Sequence, residues 1–175
     1  MKYKPTIVVS AFPACGKSYM FNNCNGKPFT ILDSDSSEFS WIKDENGINT
    51  KERDSNFPNN YIKHIKDNIG KVDVIFVSSH DIVRKALNEN NINFFMVYPD
   101  KSMKKEWFRR YKERGNDEIF IKFISDSWDY FIDEIENEEK CLKERLSVDN
   151  LYIDNKYLAG CFDISMGNLS SMWWN

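Results

Sequence analysis

Ala11-Phe12-Pro13-Ala14-Cys15-Gly16-Lys17-Ser18 constrains this chain more than any other stretch. A β-branched apolar run at 6–10 precedes it, and residues 17–24 can form the first turns of a helix. The spacing is that of a phosphate-binding loop, G-x-x-x-x-G-K-[ST], with Ala11 at the place of the first Gly. Such a loop works because backbone N–H groups converge on an anion at a helix N-terminus, where the helix dipole also favours negative charge. Gly16 lets the backbone approach a phosphate, Lys17 reaches the outer phosphates, and the Ser18 hydroxyl suits Mg²⁺. Pro13, Ala14, Cys15 and Tyr19 complete the expected nucleotide-binding wall. Ala11 is tolerable if its φ stays negative, since only positive φ demands Gly. Cys15 reads first as a small loop filler, although an anion-seeking pocket would lower its thiol pKa.

The length of 175 residues suits one domain with a substantial core, so a single domain over 1–175 is expected. A net charge of −3 gives no global basic field, so nucleic acid is not a favoured partner, although a local basic strip could still serve. The four cysteines have no C-x-x-C spacing and read as free thiols of a reducing cytoplasm. The N-terminus lacks the apolar stretch of a signal peptide, and no run approaches transmembrane length, so no membrane is expected.

Strand-like and helix-like segments alternate, which argues for an α/β fold with a parallel sheet. Strands are expected at 6–11, 29–33, 72–77 and 93–98, with a fifth within 141–153. Helices are expected at 17–24, 60–69, 81–90 and 102–139, the last broken near 114–116. The 81–90 helix should bury Ile82, Val83, Ala86 and Leu87, with Ser79 or Asp81 as its cap. Residues 36–58 read as a flexible loop or a small helical insert over the site. Trp173 and Trp174 read as packing on the body rather than binding a ligand.

In open α/β sheets, ligands bind beyond the carboxyl ends of the strands. The loop, Asp33-Ser34-Asp35 and Ser78-Ser79-His80 all fall at such ends. A carboxylate one strand from the loop can hydrogen-bond an acceptor hydroxyl or hold a metal-bound water. The third strand carries no terminal acid, so the Asp33/Asp35 turn is the expected support for magnesium, with Ser18 and Asp33 on the metal. Asp35, Ser79 and His80 are candidates to contact the acceptor. Arg110 and Arg114 lie four apart on one helix face and could close over the donor phosphates, whereas Arg109 projects elsewhere, toward surface acids. Arg53, with Lys43 and Lys51, could hold an acceptor phosphate. Phe39, Trp41, Phe57 and Tyr61 either stack on a base or pack the insert on the core.

Three features together resemble the P-loop kinase group that includes nucleoside and nucleotide kinases, shikimate and gluconate kinases, and phage polynucleotide kinase. They are Phe12-Pro13-x-x-Gly16-Lys17-Ser18, Asp33-x-Asp35 and Arg110-x-x-x-Arg114-Gly115, in that order over roughly residues 5–135. More closely, the chain looks like small nucleotide-kinase or ATP-binding proteins of tailed phages, which would place it in a host cytoplasm. The resemblance implies a three-layer fold, a five-stranded parallel sheet in the order 2-3-1-4-5, and helices on both faces. It implies an acceptor-side insert at 36–60 and a short helical lid at 102–118. ATP is the implied donor, with Mg²⁺, and Asp33 or Asp35 matches the general base of polynucleotide kinase. Arg110 and Arg114 match lid arginines. The implied activity is phosphoryl transfer to a small nucleotide or nucleoside. The alternatives are a polynucleotide 5′-hydroxyl kinase and a weakly catalytic nucleotide-binding switch. Ala11 and Ala14 depart from the group, which commonly has glycines there.

Overall fold

Five parallel strands form the centre of the structure, a computed structural model that describes residues 5–172, with side chains described through 167. In chain order the sheet strands are β1 (Ile7–Ala11), β2 (Ile31–Asp33), β5 (Val74–Ser78), β6 (Phe95–Pro99) and β7 (Leu142–Leu146). Their spatial order is β2-β5-β1-β6-β7, which is the expected 2-3-1-4-5 of the main strands. β1 pairs with β5 from Ile7↔Val74 to Ala11↔Ser78 and with β6 from Val9↔Phe95 to Ala11↔Val97. Every residue of β1 is buried, as are Val74 to Val77 of β5. Strands covered on both faces read as continuous apolar runs, which is why these two were visible in the sequence.

Helices flank the sheet: α1 (Lys17–Cys24), α3 (Asn59–Asn68), α4 (Asp81–Glu89), α5 (Lys104–Glu113), α6 (Glu118–Asp126), α7 (Trp128–Glu136) and α8 (Asn155–Met172). The expected 102–139 helix is therefore three helices preceded by a 3₁₀ turn at Lys101–Met103. Asp100 starts that turn by accepting from Ser102 N, and Asp117 caps α6 by accepting from Phe120 N at 2.7 Å. A second break falls at Ser127. Phe123 is left mostly exposed, while Ile124, Trp128, Ile132 and Ile135 enter the core.

Residues 36–58 are neither an open loop nor a purely helical insert. One turn of helix, α2 (Ser37–Ser40), leads into an antiparallel hairpin of β3 (Trp41–Lys43) and β4 (Asn49–Arg53). Its turn is closed by the Asp44 carboxylate, which accepts from Asn46 N and Ile48 N, and by Gly47 at φ 77. On α4, Val83, Ala86 and Leu87 are buried but Ile82 is 42% exposed, beside the apolar stripe rather than on it. His80 holds the N-cap position of α4 with no side-chain cap bond, so neither Ser79 nor Asp81 caps it. No helix among the described residues is long and apolar enough to cross a membrane. Trp173 and Trp174 lie outside the described residues.

Candidate active site

The segment from Ala11 to Ser18 turns between the central strand and α1. Ala11 keeps strand geometry, held between Ser78 and Val97, and is not among the residues of positive φ. The loop instead makes its left-handed steps at Ala14 (φ 67) and Gly16 (φ 106). A side chain in that region costs about 1–2 kcal/mol, so Ala14 is a strained position. Ala14→Gly should therefore raise the thermal midpoint by about 2–4 °C, the size of a gain near 1 kcal/mol in a chain of this length. Differential scanning calorimetry reads it, and a fall in midpoint would show that no strain is held there.

Lys17 donates from Nζ to the Ala11 carbonyl across the loop at 2.8 Å. Burial lowers its pKa, Arg114 lowers it further, and Cys15, Asp33 and Asp35 act the other way. Cys15 is the loop filler that its first reading gives, and the lowered thiol pKa and the place in the nucleotide wall are corrected. Its thiol is fully buried, lies 3.8 Å from the Val97 carbonyl, and is pushed up to about 12 by burial, against the weaker pull of Lys17 and Arg110. Cys15 fills the floor of the loop and does not line the cleft above it.

That cleft, of about 750 Å³, opens beyond the carboxyl ends of the strands. It gathers Pro13, Ala14, Gly16, Lys17, Ser18 and Tyr19 from the loop, Asp33 from the end of β2 and Asp35 from just beyond it. Arg53 joins from the hairpin, Ser79 and His80 from beyond β5, and Arg110 and Arg114 from α5 and its end. The sheet order explains the gathering. β2 and β5 lie on one side of β1, and β6 and β7 on the other, so the loop sits where the connections part.

On the β2/β5 side, the Asp35 carboxylate accepts from Ser37 N at 2.9 Å and so starts α2 while facing the cleft. His80, at the rim, has its pKa lowered chiefly by desolvation of the ring, with Arg53 and Lys17 adding to the effect. The Arg53 guanidinium lies 3.8 Å over the Trp41 ring. The other three candidate stacking residues are turned inward. Tyr61 is fully buried, donates to the Ser34 carbonyl at 2.6 Å, and accepts from Ser78 N. Phe39 and Phe57 pack on Tyr61. Lys43 is paired with Glu38.

On the other side, Arg114 is exposed at the cleft and Arg109 pairs with Glu106 and Glu113, as expected for a surface residue. Arg110 is not a free arm of a lid. It is 4% exposed and bonded to backbone carbonyls behind the loop. Sequence reasoning missed Asn116, Phe120 and Tyr152, which line this side, and the serines Ser34, Ser36, Ser37 and Ser40, which line the opposite one. Tyr152 lies in an irregular stretch and packs on Gly16, 3.5 Å from where a Cβ there would sit.

Among solved structures, the chain is similar to a gluconokinase from Sinorhizobium meliloti 1021, with a TM-score of 0.51 and 14% sequence identity. The match covers 98% of this chain and 99% of that one. The likeness is one of fold. No protein-family model matches the sequence, and no curated protein matches it.

The donor set also bears on a metal. β5 ends in Ser78 and is followed by Ser79, without an acid, and no cluster of three or more His, Cys, Asp or Glu among the described residues could hold an ion by itself. Ser18 and Asp33 face the same cleft. One hydroxyl and one carboxylate fit Mg²⁺ carried by a nucleotide, since that ion keeps several waters and takes its other ligands from phosphate oxygens.

Proposed function

We propose that this chain is an ATP-dependent phosphotransferase whose acceptor is a small nucleotide or nucleoside. The observation that carries the reading is one cleft holding a phosphate-type loop with Lys17 on its floor and the Asp33/Asp35 turn at the end of β2, across the intervening β5. Phosphoryl transfer asks the protein mostly for positioning and electrostatics. In this reading the loop amides and Lys17 hold the donor phosphates, and Arg114 adds positive charge where negative charge builds up on the transferring group. Asp33 or Asp35 accepts the proton of the attacking hydroxyl. Asp35, Ser79, His80 and Arg53 contact the acceptor. Bound Mg²⁺, held by Ser18 and Asp33, would supply charge neutralisation to the phosphates. Support for a kinase rests on the gluconokinase-like fold together with this cleft.

ATP turnover should rise at least about tenfold over the acceptor-free rate with one member of a panel of nucleosides, nucleoside monophosphates and deoxynucleotides. Coupled ADP release and labelled phosphate transfer both read it. A 5′-hydroxyl oligonucleotide belongs in the same assay, and transfer to it alone would make the acceptor a strand end. ATP bound with no transfer to any member would sink the enzymatic reading.

A further inference from the structure

We infer that Arg110 is a positioning residue of the phosphate loop, a clamp on its backbone rather than a lid arginine that touches the donor. The inference rests on the loop being the phosphate site. Arg110 Nη1 donates to the Ala14 carbonyl at 3.2 Å and to the Leu151 carbonyl at 3.0 Å. Its Nε is paired with Glu106 Oε1 at 2.9 Å. The guanidinium is stacked between two rings, 4.0 Å from Trp107 and 3.9 Å from Tyr152. Nη2 is sealed from water and has no partner. Glu106 is held down to about 2 by Arg109 and Arg110, so the pair stays ionised across the working pH range. To reach a phosphate in the cleft, this side chain would have to leave two carbonyls, an ion pair and both rings.

What the clamp accomplishes follows from the loop's own geometry. The Pro13 carbonyl accepts from Trp107 Nε1 at 2.8 Å and the Cys15 carbonyl from Ile153 N at 3.0 Å. With Arg110 on Ala14, three consecutive loop carbonyls are taken by donors from α5 and from the strap at residues 151–153. In a trans peptide a carbonyl and the following N–H point in opposite directions. Pinning the Pro13 and Cys15 carbonyls therefore turns the N–H groups of Ala14 and Gly16 away from those donors and keeps them for an anion. Ala14 needs holding most, since its φ of 67 is one an alanine avoids. Arg110 bonds the carbonyl of that residue and, through the same nitrogen, ties the strap to it. A side-chain clamp thus does here what glycines do in loops that relax into this shape unaided.

The test compares wild-type protein with Arg110→Met, which keeps an apolar stem between the two rings, and with Arg110→Lys. Hydrogen exchange without ligand should speed up about tenfold or more at 14–18 and 151–153 in both variants, with the sheet unchanged. ATP affinity should fall about tenfold, while kcat at saturating ATP stays within about threefold. Lysine should not rescue, because one ammonium cannot bridge two carbonyls and stack between rings. Ala14→Gly placed on Arg110→Met should recover part of the lost affinity, because the strained φ no longer has to be held. If Arg110→Met fails to fold, Tyr152→Leu opens the same stack from the solvent side and should give the same pattern. Unchanged exchange at 14–18 overturns the clamp. So does a kcat lowered about a hundredfold with ATP affinity intact, the signature of a group on the transferring phosphoryl. Should wild-type protein bind no ATP, the phosphate-site reading fails, while the exchange experiment still decides whether Arg110 holds the loop.

Discussion

Lys17→Ala should weaken ATP binding at least about a hundredfold and leave the fold intact. The size follows from losing charge-assisted bonds to phosphate in a partly dehydrated site, each worth about 1.5–3 kcal/mol. The intact fold follows from what Lys17 does without a ligand: it makes one bond, to the Ala11 carbonyl. The sign of its pKa shift agrees. Burial disfavours the charged form and lowers the pKa, so the folded protein holds that charge at a cost. A group depressed in this way makes folding less favourable while it is charged, below its folded pKa, and the penalty fades as pH rises from that value to the ordinary lysine pKa. Removing the ammonium should leave the thermal midpoint unchanged or raised at neutral pH, with Lys17→Met as the control that keeps the stem. Loss of binding without loss of stability is the pattern of a functional charge held against its preference. Titration of a fluorescent ATP analogue and calorimetry on the same samples read both halves. ATP affinity within about threefold of wild type would remove Lys17 from the site and the phosphate reading with it.

The loop was legible because its information is local. A β-branched strand, a Gly-Lys-Ser and a helix start lie within twenty residues, and each agrees with the others. Asp33, Asp35, Ser79 and His80 followed from the rule that strand ends face the ligand, and the sheet order brings them together. The hairpin at 41–53 was hidden because β4 is almost entirely exposed, so its Asn-Thr-Lys-Glu-Arg has no alternation to read. Its one signal was Asp44 with Gly47. Arg110 misled for a different reason. Its spacing from Arg114 gave the helix face, and Glu106 one turn back is a local i,i+4 partner, but burial and the Ala14 and Leu151 carbonyls are tertiary facts. Cys15 shows the same limit. Its sequence neighbours promise positive charge, yet depth decides the direction of its shift.

In the proposed function, the acids at the end of β2 divide catalysis from binding. Asp33→Ala combined with Asp35→Ala should lower transfer at least about a thousandfold, within the range general-base groups supply, while ATP affinity changes less than about threefold. The separation is expected because in the proposed reading the loop holds the donor phosphates, whereas both carboxylates line the cleft with Ser79, His80 and Arg53. The single variants should not be equivalent. One oxygen of Asp35 is taken by Ser37 N, so Asp35→Ala also removes the start of α2 and costs about 1 kcal/mol of local stability. Asp33 ends a strand paired with β5, and its carboxylate caps nothing among the bonds around it. Asp33→Asn should thus leave the thermal midpoint unchanged, and its loss of rate is the cleaner measure of chemistry. If the base is Asp35, Asp35→Asn loses most of the rate and Asp33→Asn shows a weakened dependence on Mg²⁺ instead. A double variant that still transfers phosphate at the wild-type rate would remove both acids from the reaction. One that loses ATP affinity as steeply as rate would move them to the donor side, where their charge supports Lys17 rather than the acceptor.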